Sequence, residues 1–586
     1  MKSKTPNTIE QLRDKYSQER NKRLREDYEE HLVDPYNPVR VRKSLTDETE
    51  VVIIGGGFSG LMAAVRIKEA GINDIRIIDQ AGDFGGTWYW NRYPGAQCDI
   101  DAYIYLPLLE ELGYIPKSRY SDSPEIFAHC QEIGKHYGLY ENACFHTKVV
   151  ELEWLEEDAR WIISTDRQDR MKARYICLAD GPLTQPKLPG IRGIEDFKGH
   201  IFHTSRWDYD YTGGSPEGDL SGLQDRSVAI IGTGATGIQC IPYVAKSCKQ
   251  LYVFQRTPSS ILERNNAATD INWAASLEPG WQRKRMTNFN RVSSGEFEIE
   301  DLVNDSLTQS TRKLGSRLYF QNTENASSPD QIDTLLQMDD WELMEEVRKR
   351  VDDIVIDETT ASHLKPWYRL FCKRPCFNDD YLHTFNRENV SLIDTDGKGI
   401  DGLSHNGVVA KNREYSVDCI IFATGFEVGT SYPTRSGFEV YGRENYTLTE
   451  KWADGIRTLH GIMSHGFPNC FFLGITQGAY TANYTHMLYE QAHHISHLIG
   501  SSIKKQKTIE PGEWAENDWV KTIISKSNSI QKFSQECTPG YYNNEGEPGK
   551  RRSARIPAYY GGPSEEFFNI IREWRETDDF AGIEFN

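Results

Sequence analysis

Long apolar runs, clustered cysteines and an excess of positive charge are all missing from this 586-residue sequence. No apolar run approaches the length that crosses a bilayer, and the N-terminus lacks the apolar core of a signal peptide. The 11 cysteines are scattered singly, which predicts free, buried thiols rather than a zinc site. The net charge of -19 argues against nucleic acid as a partner. We therefore expect a cytoplasmic protein with no metal, no membrane segment and no obligate protein partner.

Strand and helix signals alternate along two separate stretches of the chain. In the first, the β-branched run at residues 51–54 leads into G-G-G-F-S-G at 55–60, then into a helix and a strand at 75–78. In the second, the run at 228–231 leads into G-T-G-A-T-G at 232–237, again followed by a helix and a strand. These repeated units predict an α/β fold with two Rossmann-like dinucleotide-binding domains on parallel sheets.

The remaining segments are assigned around these two units. The strand signal disappears between about residues 262 and 365, which predicts a helical insertion in the second domain. A charged stretch at the N-terminus predicts a helical arm, and the strand at 418–422 is interpreted as the return to the first domain. The predicted domains are the arm over 1–48, the first domain over 49–182 and again over 418–586, and the second domain over 183–417.

The first glycine loop has the features of an FAD site. Placed between a strand and a helix, its spaced glycines permit a tight turn, close approach of the backbone to a pyrophosphate, and close packing of the helix. Asp79 ends the next strand, where an acidic side chain accepts hydrogen bonds from a ribose diol and repels a 2′-phosphate. Glycines also open ordinary tight turns, so the context favours FAD more than the loop alone does. The predicted contacts are Gly55, Gly57, Gly60 and Asp79.

The second glycine loop carries a cation at the equivalent strand end. Arg256 and Thr257 follow the strand at 251–254, and an arginine can bind a 2′-phosphate through two parallel hydrogen bonds. A solvated surface arginine is the alternative. We expect NADPH at this loop, bound by Gly232, Gly234, Gly237, Arg256 and Thr257.

A third motif lies between the two loops. Residues 197–208 read F-x-G-x-x-x-H-x-x-x-W-D, which resembles the fingerprint of the type I Baeyer–Villiger monooxygenases. The resemblance covers nearly everything from residue 49 to the C-terminus, and the arm and insertion look like those of larger members that accept bulky or polycyclic ketones. It implies that FAD, NADPH and O2 convert a small-molecule ketone to an ester or lactone through a flavin C4a-peroxide. The fingerprint residues are Phe197, Gly199, His203, Trp207 and Asp208.

The resemblance also implies a reactive centre. In G-G-T-W at residues 85–88 it puts Gly86, Thr87 and Trp88 beside the flavin, and the acid that closes this motif is Asp99. Asp99 orients a catalytic arginine, identified as Arg374; capping a helix is the alternative for Asp99. A permanent guanidinium charge stabilises negative charge on oxygen without giving up its proton.

Further roles rest on the resemblance alone. Lys373 is the second cation for the 2′-phosphate, and Tyr541 stands where many members carry a tryptophan over the nicotinamide side. The loop after the strand at 470–473 faces the substrate, through Tyr480, Thr481, Asn483 and Tyr484. His203 and Trp207 are expected to serve a hinge, with a general base as the alternative for His203.

Two departures and three rival functions accompany this resemblance. Asp180 interrupts an expected A-T-G crossover, and Tyr541 replaces the tryptophan. The nearest rival is a flavin monooxygenase that oxidises sulfides or amines, or an N-hydroxylase. A disulfide reductase requires a cysteine pair beside the flavin, where the sequence offers Cys98 alone. A flavin-binding sensor without enzymatic activity is the third.

Overall fold

The computed structural model of the chain describes most of its residues. The described ranges are 34–39, 41–188, 190–320, 328–428, 430–540, 543, 545–546, 552 and 555–586. Residues 1–33 of the predicted N-terminal arm lie outside these ranges, as does Tyr541.

The strands follow one another along the described chain in this order. They are Glu48–Ile54 (β1), Ile75–Ile78 (β2), Ala143–Cys144 (β3), Val149–Leu155 (β4), Arg160–Thr165 (β5), Arg170–Leu178 (β6), His200–His203 (β7), Ser227–Ile231 (β8), Gln250–Gln255 (β9), Ile261–Leu262 (β10), Cys376–Phe377 (β11), Val390–Asp394 (β12), Gly402–Leu403 (β13), Gly407–Ala410 (β14), Arg413–Ser416 (β15), Cys419–Phe422 (β16), Glu439–Tyr441 (β17), Cys470–Phe472 (β18), Gly478–Ala479 (β19), Ile509–Pro511 (β20), Tyr559–Tyr560 (β21) and Ile583–Phe585 (β22).

The α-helices and the short 3-10 helices lie between these strands. The α-helices are Phe58–Glu69 (α1), Thr87–Trp90 (α2), Ala102–Tyr105 (α3), Leu109–Leu112 (α4), Ser123–His136 (α5), Tyr209–Thr212 (α6), Ala235–Ser247 (α7), Ile271–Ala275 (α8), Trp281–Ser293 (α9), Ser306–Leu314 (α10), Ser316–Phe320 (α11), Pro329–Ile354 (α12), Glu358–Leu364 (α13), Tyr381–Thr384 (α14), Tyr432–Ser436 (α15), Leu448–Lys451 (α16), Tyr484–Lys505 (α17), Glu513–Lys526 (α18), Asn528–Glu536 (α19) and Ser564–Thr577 (α20). The 3-10 helices are Leu139–Asn142, Thr204–Arg206, Ser221–Leu223, Leu370–Cys372 and Arg443–Asn445.

The first sheet forms where the sequence places its first β-α-β unit. Its strand order is β17-β4-β5-β6-β1-β2-β3, with β18 also paired to β6. β1 runs parallel to both β2 and β6. Val51, Val52 and Ile53 are fully buried, because both faces of a parallel strand are covered and β-branched side chains pack well there.

The second sheet has the order β12-β9-β8-β16-β7, and all its pairs are parallel. The prediction that residues 418–422 return to the first sheet is therefore wrong. β16 pairs with β8 and β7, and its four buried residues complete the second core. A short apolar strand fits either parallel sheet equally well, so its composition does not indicate which one it joins. The chain returns to the first sheet at β17 and β18.

The chain passes between the two sheets twice, and these two passages are hydrogen-bonded to each other. The backbone N of Lys187 donates to the carbonyl of Gly425 (2.8 Å), and the backbone N of Glu427 donates to the carbonyl of Gln185 (2.9 Å). Residues 185–187 and 424–427 thus form a short antiparallel pair, referred to below as the crossover ribbon.

The predicted helical insertion is present as helices α8 to α13. Its members pack on both cores: Met286 and Phe289 of α9 join the core of the first sheet, whereas Val351 and Leu364 join that of the second. The insertion therefore connects the two units. No helix among the described residues combines the length and apolar character that a membrane span requires.

One pair of cysteines departs from the expectation of free thiols. Cys372 and Cys537 form a disulfide, with Cα atoms 5.1 Å apart, a separation that a disulfide spans readily. The other nine cysteines are free and buried, as expected. Partners separated by 165 positions cannot be paired from sequence spacing, so this prediction was wrong for these two residues.

Candidate active site

An open groove crosses the carboxyl ends of the first sheet. Such an edge is where open α/β sheets bind their ligands. The sequence-predicted residues Gly55, Gly57, Asp79, Gly86, Thr87 and Trp88 all line it. The structure therefore brings the first glycine loop and the G-G-T-W motif together around one elongated site.

Two glycines from different motifs pack against each other on the wall of this groove. A Cβ atom on Gly86 would lie 2.7 Å from the Cα of Gly57, and Gly86 itself has a φ of +53°. A Cβ atom on Gly60 would lie 1.8 Å from the carbonyl oxygen of Gly55. The backbone is therefore bare where a pyrophosphate would approach, and α1 packs directly on the loop.

Asp79 lies at the end of β2 as predicted. Its Oδ2 accepts a hydrogen bond from the backbone N of Gly56 (2.5 Å), and its Oδ1 accepts from that of Ala81 (2.7 Å). Burial raises the pKa of Asp79 above its usual value, and the two backbone donors oppose this rise. The side chain thus closes the turn and lines the groove, and ribose binding stays a prediction.

A buried carboxylate lies between two arginines near the groove. Oδ1 of Asp99 accepts a hydrogen bond from Arg264, and Oδ2 lies 3.5 Å from Nε of Arg374. The side chains of Asp99 and Arg264 are each 5% exposed, whereas that of Arg374 is 48% exposed. Burial raises the pKa of the groove residue Tyr105 well above its usual value, and the charge of Arg374 opposes this rise. The alternative role for Asp99 is wrong, because Asp101 is the residue that caps α3.

Two cations of the second unit pair with one acidic side chain, and a third cation lies near them. Nη2 of Arg256 lies 3.1 Å from Oε2 of Glu545, and Nζ of Lys187 lies 3.7 Å from Oε1. Nζ of Lys373 donates to the carbonyl of Pro539 (2.9 Å). Burial and the nearby charge of Arg256 lower the pKa of Lys373. The predicted pair of cations, Arg256 and Lys373, is therefore brought together.

The second glycine loop repeats the geometry of the first. Gly232 has a φ of +111°, and a Cβ atom on Gly237 would lie 2.3 Å from the carbonyl oxygen of Gly232. No atom lies within 4 Å of the position of a Cβ on Gly234. Thr257 directly follows Arg256 and accepts a hydrogen bond at its carbonyl from Thr233 of this loop (3.3 Å).

The fingerprint forms strand β7 at the edge of the second sheet and the turn after it. A Cβ atom on Gly199 would lie 2.4 Å from the Phe197 ring, which explains the glycine. His203 is buried, and burial lowers its pKa to about 3, so the imidazole is neutral at physiological pH. Asp208 caps α6 through the backbone N of Tyr211 (2.9 Å).

The turn after β7 also contacts the aromatic residues at 85–95 of the first unit. Arg206 stacks its guanidinium on the Trp90 ring at 3.5 Å. Trp207 is fully buried, and its backbone N donates to the hydroxyl of Tyr36 (3.1 Å). These contacts join the fingerprint to residues 85–95, which supports the expectation of an interdomain role, and Arg206 was not singled out from the sequence.

The predicted substrate loop lies between the insertion and α3. Oγ1 of Thr481 donates to Oδ1 of Asn290 in α9 (2.6 Å), and Nδ2 of Asn483 donates to the carbonyl of Ile104 (3.0 Å). Tyr484 lines the groove, whereas Tyr480 is 58% exposed and contacts a second tyrosine ring at 4.9 Å. The four predicted residues therefore have different surroundings. Thr481 and Asn483 hold the loop in place, Tyr484 lines the groove and Tyr480 is exposed.

Three site features were missed at the sequence level. They are Arg264 beside Asp99, Glu545 among the cations, and the Cys372–Cys537 link next to Arg374. Each depends on residues far apart in the chain, so no local spacing indicated them. Asp180, which interrupts the expected A-T-G pattern, lines the groove, and its Oδ1 accepts a hydrogen bond from the Tyr432 hydroxyl (2.5 Å).

Comparisons with known proteins agree with this geometry. Residues 53–112 match a family model described as an NAD(P)-binding Rossmann-like domain. The chain is 47% identical to pentalenolactone D synthase from Streptomyces arenae, covering 98% of this chain and 99% of that protein. It is 44% identical to a Baeyer–Villiger monooxygenase from Stachybotrys chlorohalonatus, covering 98% and 94%. The solved polycyclic ketone monooxygenase from the thermophilic fungus Thermothelomyces thermophila matches with a TM-score of 0.88 at 36% identity, covering 99% of each chain.

The residues present fit both expected cofactors. The groove with its bare glycine backbone and Asp79 suits FAD, and the Gly234 loop with its adjoining cations suits NADPH. Relatives this similar span nearly the whole length of the sequence. The chain belongs to the type I Baeyer–Villiger monooxygenases, which use FAD and NADPH to convert ketones to esters or lactones.

Proposed function

We propose that Arg374 is the catalytic cation of this monooxygenase and that Asp99 orients it. The observation that carries the proposal is the position of a half-exposed guanidinium beside a buried carboxylate, within electrostatic reach of the groove residue Tyr105. Bound FAD supplies electron transfer from NADPH and the activation of O2. Oxygen insertion into a ketone develops negative charge on oxygen, and a preorganised guanidinium stabilises that charge.

The permanent positive charge of arginine suits this role. A guanidinium stays charged throughout the physiological pH range, so Arg374 stabilises an anion without protonating it. Asp99 forms an ion pair with the guanidinium, at 3.5 Å from Nε, and so restricts the directions in which the guanidinium can point. The neutral, buried His203 is assigned a hinge position rather than a part in proton transfer.

The binding roles follow the two glycine loops. We propose that Gly55, Gly57 and Gly60 admit the FAD pyrophosphate and that Asp79 binds the ribose, with Gly86, Thr87 and Trp88 beside the flavin. Gly232, Gly234 and Gly237 admit the NADPH pyrophosphate. The 2′-phosphate pairs with Arg256, Thr257 and Lys373. A role for Tyr541 on the nicotinamide side stays a prediction, since this residue lies outside the described ranges.

The domain boundaries are proposed with one revision. The FAD-binding domain covers 49–182, and the NADP-binding domain begins at 183 with its insertion over about 262–365. Because β16 belongs to the second sheet, the NADP-binding domain ends after residue 422 rather than at 417. The FAD-binding domain then resumes and continues to residue 586.

The proposed substrates are bulky or polycyclic ketones. The names of two similar proteins, a pentalenolactone D synthase and a polycyclic ketone monooxygenase, support this class. The substrate loop is held by Asn290 of the insertion, so a segment of the larger members forms part of the wall around the site. We propose a cytoplasmic location, where NADPH is supplied, with the ketone and O2 as the reacting partners and no protein partner.

A substrate screen tests this assignment. Purified enzyme loaded with FAD is given NADPH and one of four ketones: a linear ketone, cyclohexanone, camphor or progesterone. NADPH oxidation is followed by absorbance, and products are identified by a mass increase of one oxygen atom. Ester or lactone formation from the polycyclic ketones at higher kcat/KM than from the linear one supports the proposal. Preference for the linear ketone contradicts the substrate class.

A further inference from the structure

We propose that Arg264 is a positioning residue that fixes Asp99 relative to Arg374. The inference rests on the proposed roles of those two residues and adds a third. Arg264 is 6% exposed and pairs with Oδ1 of Asp99, whereas the half-exposed Arg374 faces Oδ2. Its guanidinium contacts Asp99, Gln97 and Phe377, so it acts through Asp99 and is not a catalytic residue.

The guanidinium of Arg264 joins the two segments that carry the proposed centre. On one side it donates to Oε1 of Gln97 and to Oδ1 of Asp99. On the other side Nε and Nη2 both donate to the carbonyl of Phe377 (3.0 and 2.7 Å). Phe377 is in β11, three positions after Arg374. One planar, multidentate side chain therefore sets the separation between the Asp99 segment and the Arg374 segment.

The backbone of Arg264 is itself fixed to the Arg374 segment. β10 and β11 pair in parallel directly before Arg264. The backbone N of Cys376 donates to the carbonyl of Ser260 (3.1 Å), and the backbone N of Arg264 donates to Oδ1 of Asp379 (2.9 Å). The backbone that carries Arg264 is thus hydrogen-bonded to the segment that carries Arg374, and the Arg264 side chain extends from it to Asp99.

The negative charge of the buried Asp99 carboxylate is compensated by two arginines, and this affects how Arg374 can act. A buried carboxylate that loses its ion partner is strongly unfavourable. Because the buried Arg264 pairs with Oδ1 of Asp99, the carboxylate retains a partner even when Arg374 turns toward a reacting ketone. Arg264 therefore holds the direction of Asp99 while Arg374 adjusts to the charge that develops during the reaction.

A double-mutant cycle tests the proposal in the FAD-loaded enzyme. The variants are Arg264→Gln, Asp99→Ala and the two combined, assayed with whichever of the four screening ketones the wild type converts fastest. The readout is coupling, the ester formed per NADPH oxidised, measured with FAD content, Tm and the rate of flavin reduction by NADPH. We expect Arg264→Gln to lower coupling by about tenfold, with less than a twofold change in the flavin reduction rate.

The cycle separates positioning from general stability. If Arg264 acts through Asp99, the combined variant couples no worse than Asp99→Ala alone. Multiplied losses in the combined variant, or wild-type coupling in Arg264→Gln, would overturn the inference. As a matched control, Arg317→Gln removes a guanidinium from another buried carboxylate, Asp339 in α12; it should lower Tm and leave coupling intact.

A conservative variant covers the case in which Arg264→Gln fails to fold. Arg264→Lys keeps the charge, but one ammonium cannot reproduce the contacts to Asp99, Gln97 and Phe377 together. If Arg264→Lys forms less ester per NADPH than the wild type but more than Asp99→Ala, the proposal is supported. If Arg264→Lys forms as much ester per NADPH as the wild type, the multidentate role is overturned. Failure of this inference is distinguishable from failure of the proposed function, which fails instead if Arg374→Ala still forms ester.

Discussion

At the scale of single residues, the half-exposed Arg374 is where the proposed chemistry is most directly tested. Replacing Arg374 by alanine should leave flavin reduction by NADPH in place and abolish ester formation, because only the later steps develop negative charge on oxygen. Loss of one such stabilising group typically costs at least ~2.7 kcal/mol of barrier, about a hundredfold in rate. Stopped-flow absorbance and product mass separate the two half-reactions.

A nearby arginine provides the control for that experiment. Arg369 lies in the same segment between α13 and β11 as Arg374, but it pairs with Asp333 and Glu536 and not with Asp99. Arg369→Ala should therefore still form ester. Asp99→Ala should be milder than Arg374→Ala, since it misplaces the guanidinium without removing it. Near wild-type ester formation by Arg374→Ala would show that the cation lies elsewhere.

The pairing of Glu545 with Arg256 bears on cofactor preference. A phosphate that binds Arg256 must displace the Glu545 carboxylate, 3.1 Å away. We expect Arg256→Ala to raise the KM for NADPH by about ten- to a hundredfold, the effect of one charge-paired contact. Glu545→Gln should lower it, because the competing anion is gone. Neither change should alter the KM for NADH much, and parallel shifts with both cofactors would refute the phosphate role.

At the scale of elements, the two glycine loops distinguish ligand approach from packing. Gly57 lines the groove, and a Cβ there would lie 3.3 Å from the Cα of Gly86, so Gly57→Val should crowd the groove and yield colourless protein without FAD. Gly60→Val should fail to fold, since a Cβ there would lie 1.8 Å from the carbonyl oxygen of Gly55. Gly234→Val faces open space and should keep FAD but bind NADPH poorly. Flavin absorbance, circular dichroism and NADPH titration check the three; stoichiometric FAD in Gly57→Val would contradict the assignment.

The same elements show how far sequence patterns reach. Both β-α-β units and the helical insertion were predicted, because hydrophobic period and glycine position are local properties of the chain. β16 was assigned to the wrong sheet, since a short apolar strand carries no information about its neighbours. Arg264 and Glu545 were missed for the same reason: their roles come from partners more than a hundred positions away. Arg374 and Asp99 were found through family resemblance, and the structure places them 3.5 Å apart.

At the scale of the whole molecule, buried histidines predict a stability that falls in acid. Burial lowers the pKa of His460 to about 4 and that of His486 to about 3, against ~6.5 in an unfolded chain. The unfolded state therefore binds more protons between these values, so stability is full above about pH 6.5 and declines as the pH falls toward 4. Buried acids oppose this trend, because burial raises the pKa of Asp101 to about 6 and that of Asp79 above its usual value.

Thermal unfolding between pH 8 and 5 measures this dependence. We expect Tm to fall over that interval and the fall to be shallower in His460→Asn. Asparagine suits position 460, where φ is +52° and asparagine tolerates the left-handed region. An unchanged slope in that variant would show that His460 does not contribute to the acid sensitivity.

The single cross-link of the described chain gives a second whole-molecule test. The disulfide between Cys372 and Cys537 joins the segment that carries Arg374, between α13 and β11, to the segment that carries Pro539 and Glu545. Thiol titration of denatured protein should count nine thiols without reductant and eleven after reduction. Eleven in the untreated protein would show that the bond is absent under the purification conditions.

The crossover ribbon has a consequence for the ancestry and engineering of the enzyme. The chain leaves the first sheet through residues 185–187 and comes back through 424–427, and these two passages are hydrogen-bonded neighbours. A domain whose two ends lie side by side can be inserted into a host, or lifted out of it, without pulling the host apart. The NADP-binding unit therefore has adjacent entry and exit points, while its insertion contributes Met286 and Phe289 to the first core. Exchanging the unit between relatives at these two positions, with these first-core residues of the insertion retained, should transplant cofactor preference while leaving the flavin scaffold intact.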